Sequence, residues 1–386
     1  MAYNLTNTRK IASEEGMNIG ILHERRNQEH RVALTPAGVF HLVKYGYQVY
    51  LESGAGQDSG WSDEQYVKAG AQLVFSAQEL YGRSNLVMKV SPLELEDLPY
   101  IQEGQSIFSW QHLVMRDSKI IKTIIEKELT VIGYEIIEDL FGNRPIVTYV
   151  AEIAGYMAVI TSLHYLQNET GGRAKMIAGI PGVPQGSITV LGAGLTGAAA
   201  VRAATGIGAY VVVIDKDLEK MRRLDDKYHG RISTFYANHT NIAKAVGFSD
   251  VLIGAVASHG DLAPRVVSQE MVQSMKYRAV IADLSIDQGG CVETSRPTTL
   301  ADPVFVEHDV VHYCVPNMTA NVSRTTSNAL SNSMMRYLEA IKDLGLDKAL
   351  ITIPCLKNGA FFFKGRCVKE YIARRFDLIF EPLKSE

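Results

Sequence analysis

The sequence predicts an α/β protein built from two open, doubly wound sheets, with a central domain inserted into a discontinuous one. Three observations carry that expectation. Short β-branched runs alternate with helical patterns through the first 145 residues, the rhythm of βαβ units. A second alternating block has strands that are continuous apolar runs (YVVVID, DVLIGAV, AVIADLS), as expected when helices bury both faces of a parallel sheet. The length, 386 residues, suits two domains of roughly 100–200 residues each.

Asn18–Leu22 reads as a strand, and Pro36 opens a helical pattern that runs through Leu42 and Val43 to Tyr45. Tyr47–Glu52 is a strand and Asp63–Gly70 a short helix. Leu86–Val90, Ser106–Trp110 and Thr130–Tyr134 are further strands. A long helix over Glu152–Asn168 precedes the Gly- and Pro-rich loop Gly171–Gly186. The central block follows as SITVLGAG, then the three apolar runs, each separated by a helix. After Asn317 the pattern turns helical over Thr326–Leu344. The final FFFKGRCVKEYIARRF stretch suits packing on the first domain or at a subunit contact. These readings place domain boundaries at 1–145, 146–322 and 323–386, with the outer two segments forming one domain. The two domains are expected to meet at a cleft, where ligands usually sit.

Composition narrows the function classes. With 39 Lys+Arg against 42 Asp+Glu the net charge is −3, which gives no broad reason to expect nucleic acid or an anionic membrane as partner. Hydrophobic residues at 46% and charged residues at 21% exclude a disordered or fibrous chain. Cys291, Cys314, Cys355 and Cys367 lie scattered without CxxC spacing, which favours a reducing compartment and argues against a structural zinc; no metal is expected. Met1–Gly16 lacks the apolar core of a secretory signal. Ala151–Leu166 is interrupted by Glu152 and His164 and falls short of the ~20 apolar residues that span a bilayer. A soluble, cytoplasmic protein is expected.

The most specific motif is Gly192-Ala193-Gly194-Leu195-Thr196-Gly197, a GxGxxG at a strand-to-helix junction. Gly192 permits the tight turn, Gly194 lets backbone approach a pyrophosphate, and Gly197 allows close helix–strand packing. The helix start then offers N–H groups and a positive dipole end to the phosphates. Tyr210–Ile214 is a second strand ending in Asp215, whose carboxylate suits both ribose hydroxyls and repels a 2′-phosphate. The block is Rossmann-like, and its cofactor is expected to be NAD rather than NADP. Glycines that merely close a turn, with Asp215 capping the next helix, are the competing reading.

Four charged or titratable residues stand in apolar surroundings. Arg31, in EHRVALTP, could clamp a carboxylate in bidentate fashion, or lie on the surface. Lys89 interrupts LVMKV and could polarise a carbonyl, or sit exposed on a strand edge. His112, in FSWQHLV, could shuttle protons, or be a hydrogen-bonded structural histidine. Asp287 follows a strand and precedes a glycine pair, a ligand-contacting place in open α/β sheets, though a turn-forming Asp fits as well. GxSxG, Walker and HExxH motifs are absent, and Asp225-Asp226 reads as a solvated helix face.

Taken together these segments resemble the alanine dehydrogenase family, whose relatives include the nucleotide-binding part of pyridine nucleotide transhydrogenase. The resemblance runs from about Asn18 to Leu383. It rests on EHRVALTPAG at 29–38, FSWQHLV, the glycine pair and PGV within 170–183, GAGLTG, SIDQGGCVETSRPTT at 285–299 and VVHYCVPNM at 310–318. It implies two α/β domains with NAD bound, commonly assembled as a homo-hexamer. The implied reaction is reversible oxidative deamination of L-alanine to pyruvate and ammonia. By motif, Arg31 would hold the substrate carboxylate and Lys89 the carboxylate or carbonyl oxygen. His112 would be the general acid/base and Asp287 a partner in proton transfer. Gly192, Gly194, Gly197 and Asp215 would bind the dinucleotide, with Asn317 and Met318 near the nicotinamide.

This chain departs from the family pattern at several places. Trp110 and Gln111 replace Tyr-Leu, Ala151 replaces a cofactor-contacting Ser, Tyr156 replaces an Arg, and Ala257-Ser258-His259 replaces an apolar-Pro segment. The same chemistry on another small amino or imino acid, with its 2-oxo acid and ammonia, is therefore an alternative. A non-catalytic, transhydrogenase-like NAD-binding module is another.

Overall fold

The computed structural model describes residues 17–25, 28–256 and 262–383, so Met1–Gly16 and Ala257–His259 lie outside the described residues. The chain divides into two units, Met1–Val147 with Ser323–Glu386, and Thr148–Val322.

The first unit begins with β1 (Asn18–Ile21), α1 (Pro36–Lys44), β2 (Gln48–Glu52), α2 (Asp63–Lys68), β3 (Gln72–Val74) and α3 (Ala77–Arg83). It continues with β4 (Leu86–Met88), β5 (Ser106–Ser109), α4 (Ser118–Glu126) and β6 (Thr130–Gly133). The helix starts follow from local chemistry: Thr35 accepts the Gly38 N–H ahead of Pro36, and Asp117 accepts that of Lys119. Alternation along the strands splits the apolar residues between two cores. Ile19, Ile21, Leu86, Met88, Phe108 and Ile132 pack with α1, while Val87, Ile107 and Val131 pack with α3 and α4.

The chain passes through α5 (Pro145–Tyr165) into the second unit. Its elements are β7 (Ser187–Leu191), α6 (Leu195–Gly206), β8 (Tyr210–Asp215), α7 (Leu218–Tyr228), β9 (Ile232–Tyr236) and α8 (His239–Phe248). Then come β10 (Val251–Gly254), α9 (Gln269–Gln273), β11 (Val280–Asp283), β12 (Val304–Glu307) and β13 (Val310–Tyr313). The sheet order is β12-β13-β11-β10-β7-β8-β9, parallel except for β12 against β13. Helices α5, α6 and α7 cover one face and α8 and α9 the other.

The chain returns to the first unit with α10 (Ser323–Leu344), α11 (Leu346–Thr352), α12 (Pro354–Gly359), β14 (Ala360–Phe363), β15 (Arg366–Cys367) and α13 (Glu370–Phe376). Strand β14 runs antiparallel to β6, which gives an eight-stranded sheet of order β15-β14-β6-β5-β4-β1-β2-β3. The terminal stretch that suited either a domain or a subunit contact therefore completes the first unit's sheet.

One expectation needs correction. The long helix starts at Pro145 rather than Glu152, because a proline is well placed in the first turn of a helix. At 21 residues, with a mean hydropathy of 1.6 over its most apolar window, α5 is long and apolar enough to cross a membrane by length and composition. It also packs tightly on α6: a Cβ on Gly155 would lie 2.3 Å from the carbonyl oxygen of Thr196. The edge strands β3 and β9 and helices α3 and α4 are further elements absent from the sequence reading.

Candidate active site

In an open parallel sheet, loops diverge where the strand order reverses, and the crevice left at the carboxyl ends is the usual ligand site. In the first unit the reversal falls between β1 and β4: β2 and β3 extend one way, β5 and β6 the other. Arg31 lies on the segment after β1, Lys89 one residue past β4, and His112 three residues past β5.

Arg31 is buried, which corrects the surface reading. Its Nε and Nη2 donate to Glu29 Oε1 and Oε2 at 2.6 Å each, a forked pair that fixes the guanidinium plane. The bidentate grip is thus made on a carboxylate of the same chain. Lys89 is only 3% exposed and its ammonium donates to Asp97; β4 is an interior strand, so the edge-lysine reading is also corrected. A third buried carboxyl, Glu24, accepts the Val90 N–H across the reversal. Burial pushes Glu24 upward, Lys89 and the Val90 N–H pull it down, and the charge of Glu29 adds to the rise. Glu24 therefore links Lys89 to the Glu29–Arg31 pair in one electrostatic cluster.

His112 is exposed, and its ring has no hydrogen-bond partner among the described residues, unlike a structural histidine. Its backbone is left-handed (φ 46°, ψ 40°). The imidazole lies parallel to the Trp110 indole at 6.2 Å between centroids, and Trp110 meets Tyr134 edge-on at 5.8 Å. The Tyr134 hydroxyl is buried, and burial together with Glu24 holds it well above the usual tyrosine range.

In the second unit the strand order reverses between β7 and β10. Gly192, at the end of β7, has φ 102°, and a Cβ there would lie 2.4 Å from the Ala255 carbonyl oxygen. A Cβ on Gly197 would meet the Gly192 carbonyl oxygen at 1.8 Å. At Gly194, which caps α6, no atom lies within 4 Å of that position. Protein therefore excludes a side chain at the first and third glycines, whereas the second leaves open space before a helix start with no side-chain cap. That is the cradle a pyrophosphate needs. Asp215 accepts the Ala193 N–H with one oxygen and the Asp217 N–H, at 2.8 Å, with the other. The helix cap is Asp217, which accepts the N–H groups of Glu219 and Lys220, so the capping reading of Asp215 is corrected.

Asp287 is exposed in the single turn Ile286–Gln288 after β11. The buried Asp283 shapes that loop by accepting the N–H groups of Ser285, Cys291 and Val292. Asn317 is exposed with φ 55°, while Met318 is buried in a small cluster with Tyr313 and Val315. Burial pushes the Cys291 thiol well up and that of Cys314 to about 12, the opposite of activation.

The alanine dehydrogenase/PNT C-terminal domain matches residues 158–370, and the N-terminal domain of the same family matches residues 20–154. The chain belongs to the alanine dehydrogenase/PNT family. It is 37% identical to an alanine dehydrogenase of Halomonas elongata over 362 residues, 94% of this chain and 97% of that protein. It is 38% identical to an alanine dehydrogenase of Mycobacterium tuberculosis over 357 residues, 92% of this chain and 96% of that protein. A solved L-alanine dehydrogenase superposes with a TM-score of 0.90 at 36% identity, covering 94% of this chain and 99% of that one.

Tyr156 and Trp110, two positions the sequence reading set apart from the family pattern, each have a definite structural place. Tyr156, on α5, packs against the second unit's core beneath the Arg202 guanidinium, 5.8 Å from its ring centroid. Trp110 is the plate on which His112 stacks. The sequence reading lacks the carboxylates Glu24, Glu29, Asp97 and Glu135, the last of which accepts the His112 N–H at 2.7 Å. A carboxylate just past a parallel strand, as Glu24 and Glu135 are, was the available signal; Asp97 reaches Lys89 from a loop and had none.

Proposed function

We propose that this chain is an NAD-dependent L-alanine dehydrogenase, acting in the cytoplasm as a homo-oligomer, by resemblance a hexamer. The observation that carries the proposal is that Lys89 and His112 follow neighbouring strands beside the sheet reversal, while Glu24 ties Lys89 to the buried Glu29–Arg31 pair. In the second unit Gly192, Gly194, Gly197 and Asp215 would hold NAD, with Asn317 and Met318 toward its nicotinamide. Bound NAD supplies the acceptor for the hydride that leaves the substrate Cα.

Arg31, its plane set by Glu29, orients the substrate carboxylate, and Lys89 holds the carboxylate or carbonyl oxygen. Fixing a small substrate this way supplies the positional part of the rate. Loss of hydride leaves a substrate iminium, which water attacks at Cα. His112 takes a proton from that water as the C–O bond forms and gives it to the amine nitrogen; as the C–N bond breaks it takes the hydroxyl proton, so that ammonia and pyruvate leave. A positioned acid/base of this kind contributes roughly 10²–10⁴-fold.

Trp110 favours a second reading, the same chemistry on another small amino acid, because an indole beside His112 reshapes the space next to the acid/base. The deciding experiment is NADH oxidation with ammonia across a panel of 2-oxo acids. Pyruvate as clearly the best substrate supports the alanine reading, and a different best acid supports the second. No oxidation with any of them overturns both.

A further inference from the structure

His112 holds a backbone conformation that residues with a Cβ seldom adopt, φ 46° and ψ 40°. Such a conformation persists only where surrounding groups over-determine it. Here one determinant is a carboxylate, beside the Met115 N–H that donates to the His112 carbonyl at 3.0 Å. Glu135 Oε1 accepts the His112 N–H at 2.7 Å and the Gln111 N–H at 3.1 Å, and Oε2 accepts the Gln111 N–H at 3.2 Å. Two successive N–H groups converging on one anion form a nest, and bonds to a charged acceptor are stronger than neutral ones.

The fold brings the partners together by register. β5 and β6 are parallel neighbours with Ser109 opposite Gly133, so the residues just past each strand end side by side. Gly133 has no room for a side chain: a Cβ would lie 2.2 Å from the Phe361 ring and 2.9 Å from Glu135 Oε2. Phe361 comes from β14. Behind the His112 loop, α13 packs against the turn Leu113–Met115, with Leu113, Ile372 and Ala373 in one core. The Tyr371 hydroxyl on α13 also senses the charge of Glu135.

We propose that Glu135 is a positioning residue: seated in the Gln111–His112 backbone nest, its carboxylate decides where the His112 imidazole stands. The proposal rests on His112 being the acid/base. Glu135 reaches the reaction only through the backbone of its neighbour. Glu135 is half-buried at the end of the sheet, so replacing it leaves the strands and both cores in place.

The test uses the full-length enzyme as E135A, E135Q and H112A. E135A removes the anion, and kcat falls about 100-fold, the cost typical of a misplaced catalytic group. Its KM for NADH is unchanged, and amide exchange at Gln111 and His112 quickens. E135Q keeps Oε1 as acceptor but sets an NH₂ against the Gln111 N–H, so it restores part of kcat and slows the exchange again. If E135A misfolds, E135Q alone carries the test through its kcat and exchange. Wild-type kcat in the Glu135 variants, with H112A inactive, overturns the positioning role. If H112A itself turns over normally, the acid/base reading falls and the proposal with it.

Discussion

The three glycines of the β7–α6 turn make opposite predictions for one added methyl group. At Gly197 a Cβ would sit 1.8 Å from the Gly192 carbonyl oxygen, so the turn must open by more than an ångström. Overpacking of this kind costs about 1–3 kcal/mol, and a backbone obstacle belongs at the upper end. In a unit of this size each kcal/mol moves the melting midpoint by about 2–4 °C, so G197A lowers the second unit's transition by about 6–12 °C. At Gly194 the same methyl meets nothing within 4 Å, and φ −72° suits alanine. The only folding cost is a poorer helix cap, about 0.5–1 kcal/mol. That methyl instead occupies the space in front of the α6 amides, where the phosphates would come. If it removes ~1.5–3 kcal/mol of binding, the NADH Kd rises about 10- to 100-fold. Thermal melts and NADH fluorescence titration measure the two effects separately. G194A with a wild-type Kd refutes the cradle, and G197A with a wild-type melt refutes the close approach of the turn.

Two further predictions address Asp215 and His312. D215N keeps an acceptor for the Ala193 N–H but loses the charge that repels a 2′-phosphate, so the preference for NAD over NADP drops at least about tenfold; an unaltered ratio of kcat/KM values counts against the ribose assignment. His312 is buried against Phe305 with its Nε2 on Thr294, and burial lowers its pKa below 6.5 despite the opposing pull of the Val310 carbonyl, Glu307 and Asp283. Its neutral form belongs to the fold, so its stabilisation is complete above pH 6.5 and is lost as pH falls through the lowered value. The melting midpoint should fall more steeply between pH 7 and 5 in the wild type than in H312N, and equal slopes would remove His312 from the acid sensitivity.

The fold class was legible because parallel strands buried on both faces write themselves as unbroken apolar runs, as in YVVVID. The glycine turn was legible for a related reason: its constraint is local. Strands β3 and β9 escaped notice because they are short sheet edges whose residues are mostly half-buried or exposed. β14 escaped because FFF carries no period until β6 is beside it. In the first unit, Arg31, Lys89 and His112 stood out as polar residues among apolar ones. The partner of Lys89 did not, since Asp97 reaches it from a separate loop, and only packing decides which carboxylate meets which cation. Glu29 was two residues from Arg31 and could have been named.

The interrupted first unit has a consequence for biosynthesis. Strand β6 lacks its outer neighbour, and α1 lacks α10, until the ribosome has made everything in between. The dinucleotide unit is one uninterrupted stretch and is therefore free to acquire its native form while the older N-terminal segment still waits. During that wait the open edge of β6 is a template for wrong pairing with another nascent chain. A polypeptide arrested near residue 322 would hold a finished cofactor module tethered to an unfinished, adhesive one. Strand β14, made only after the whole second unit, caps that edge.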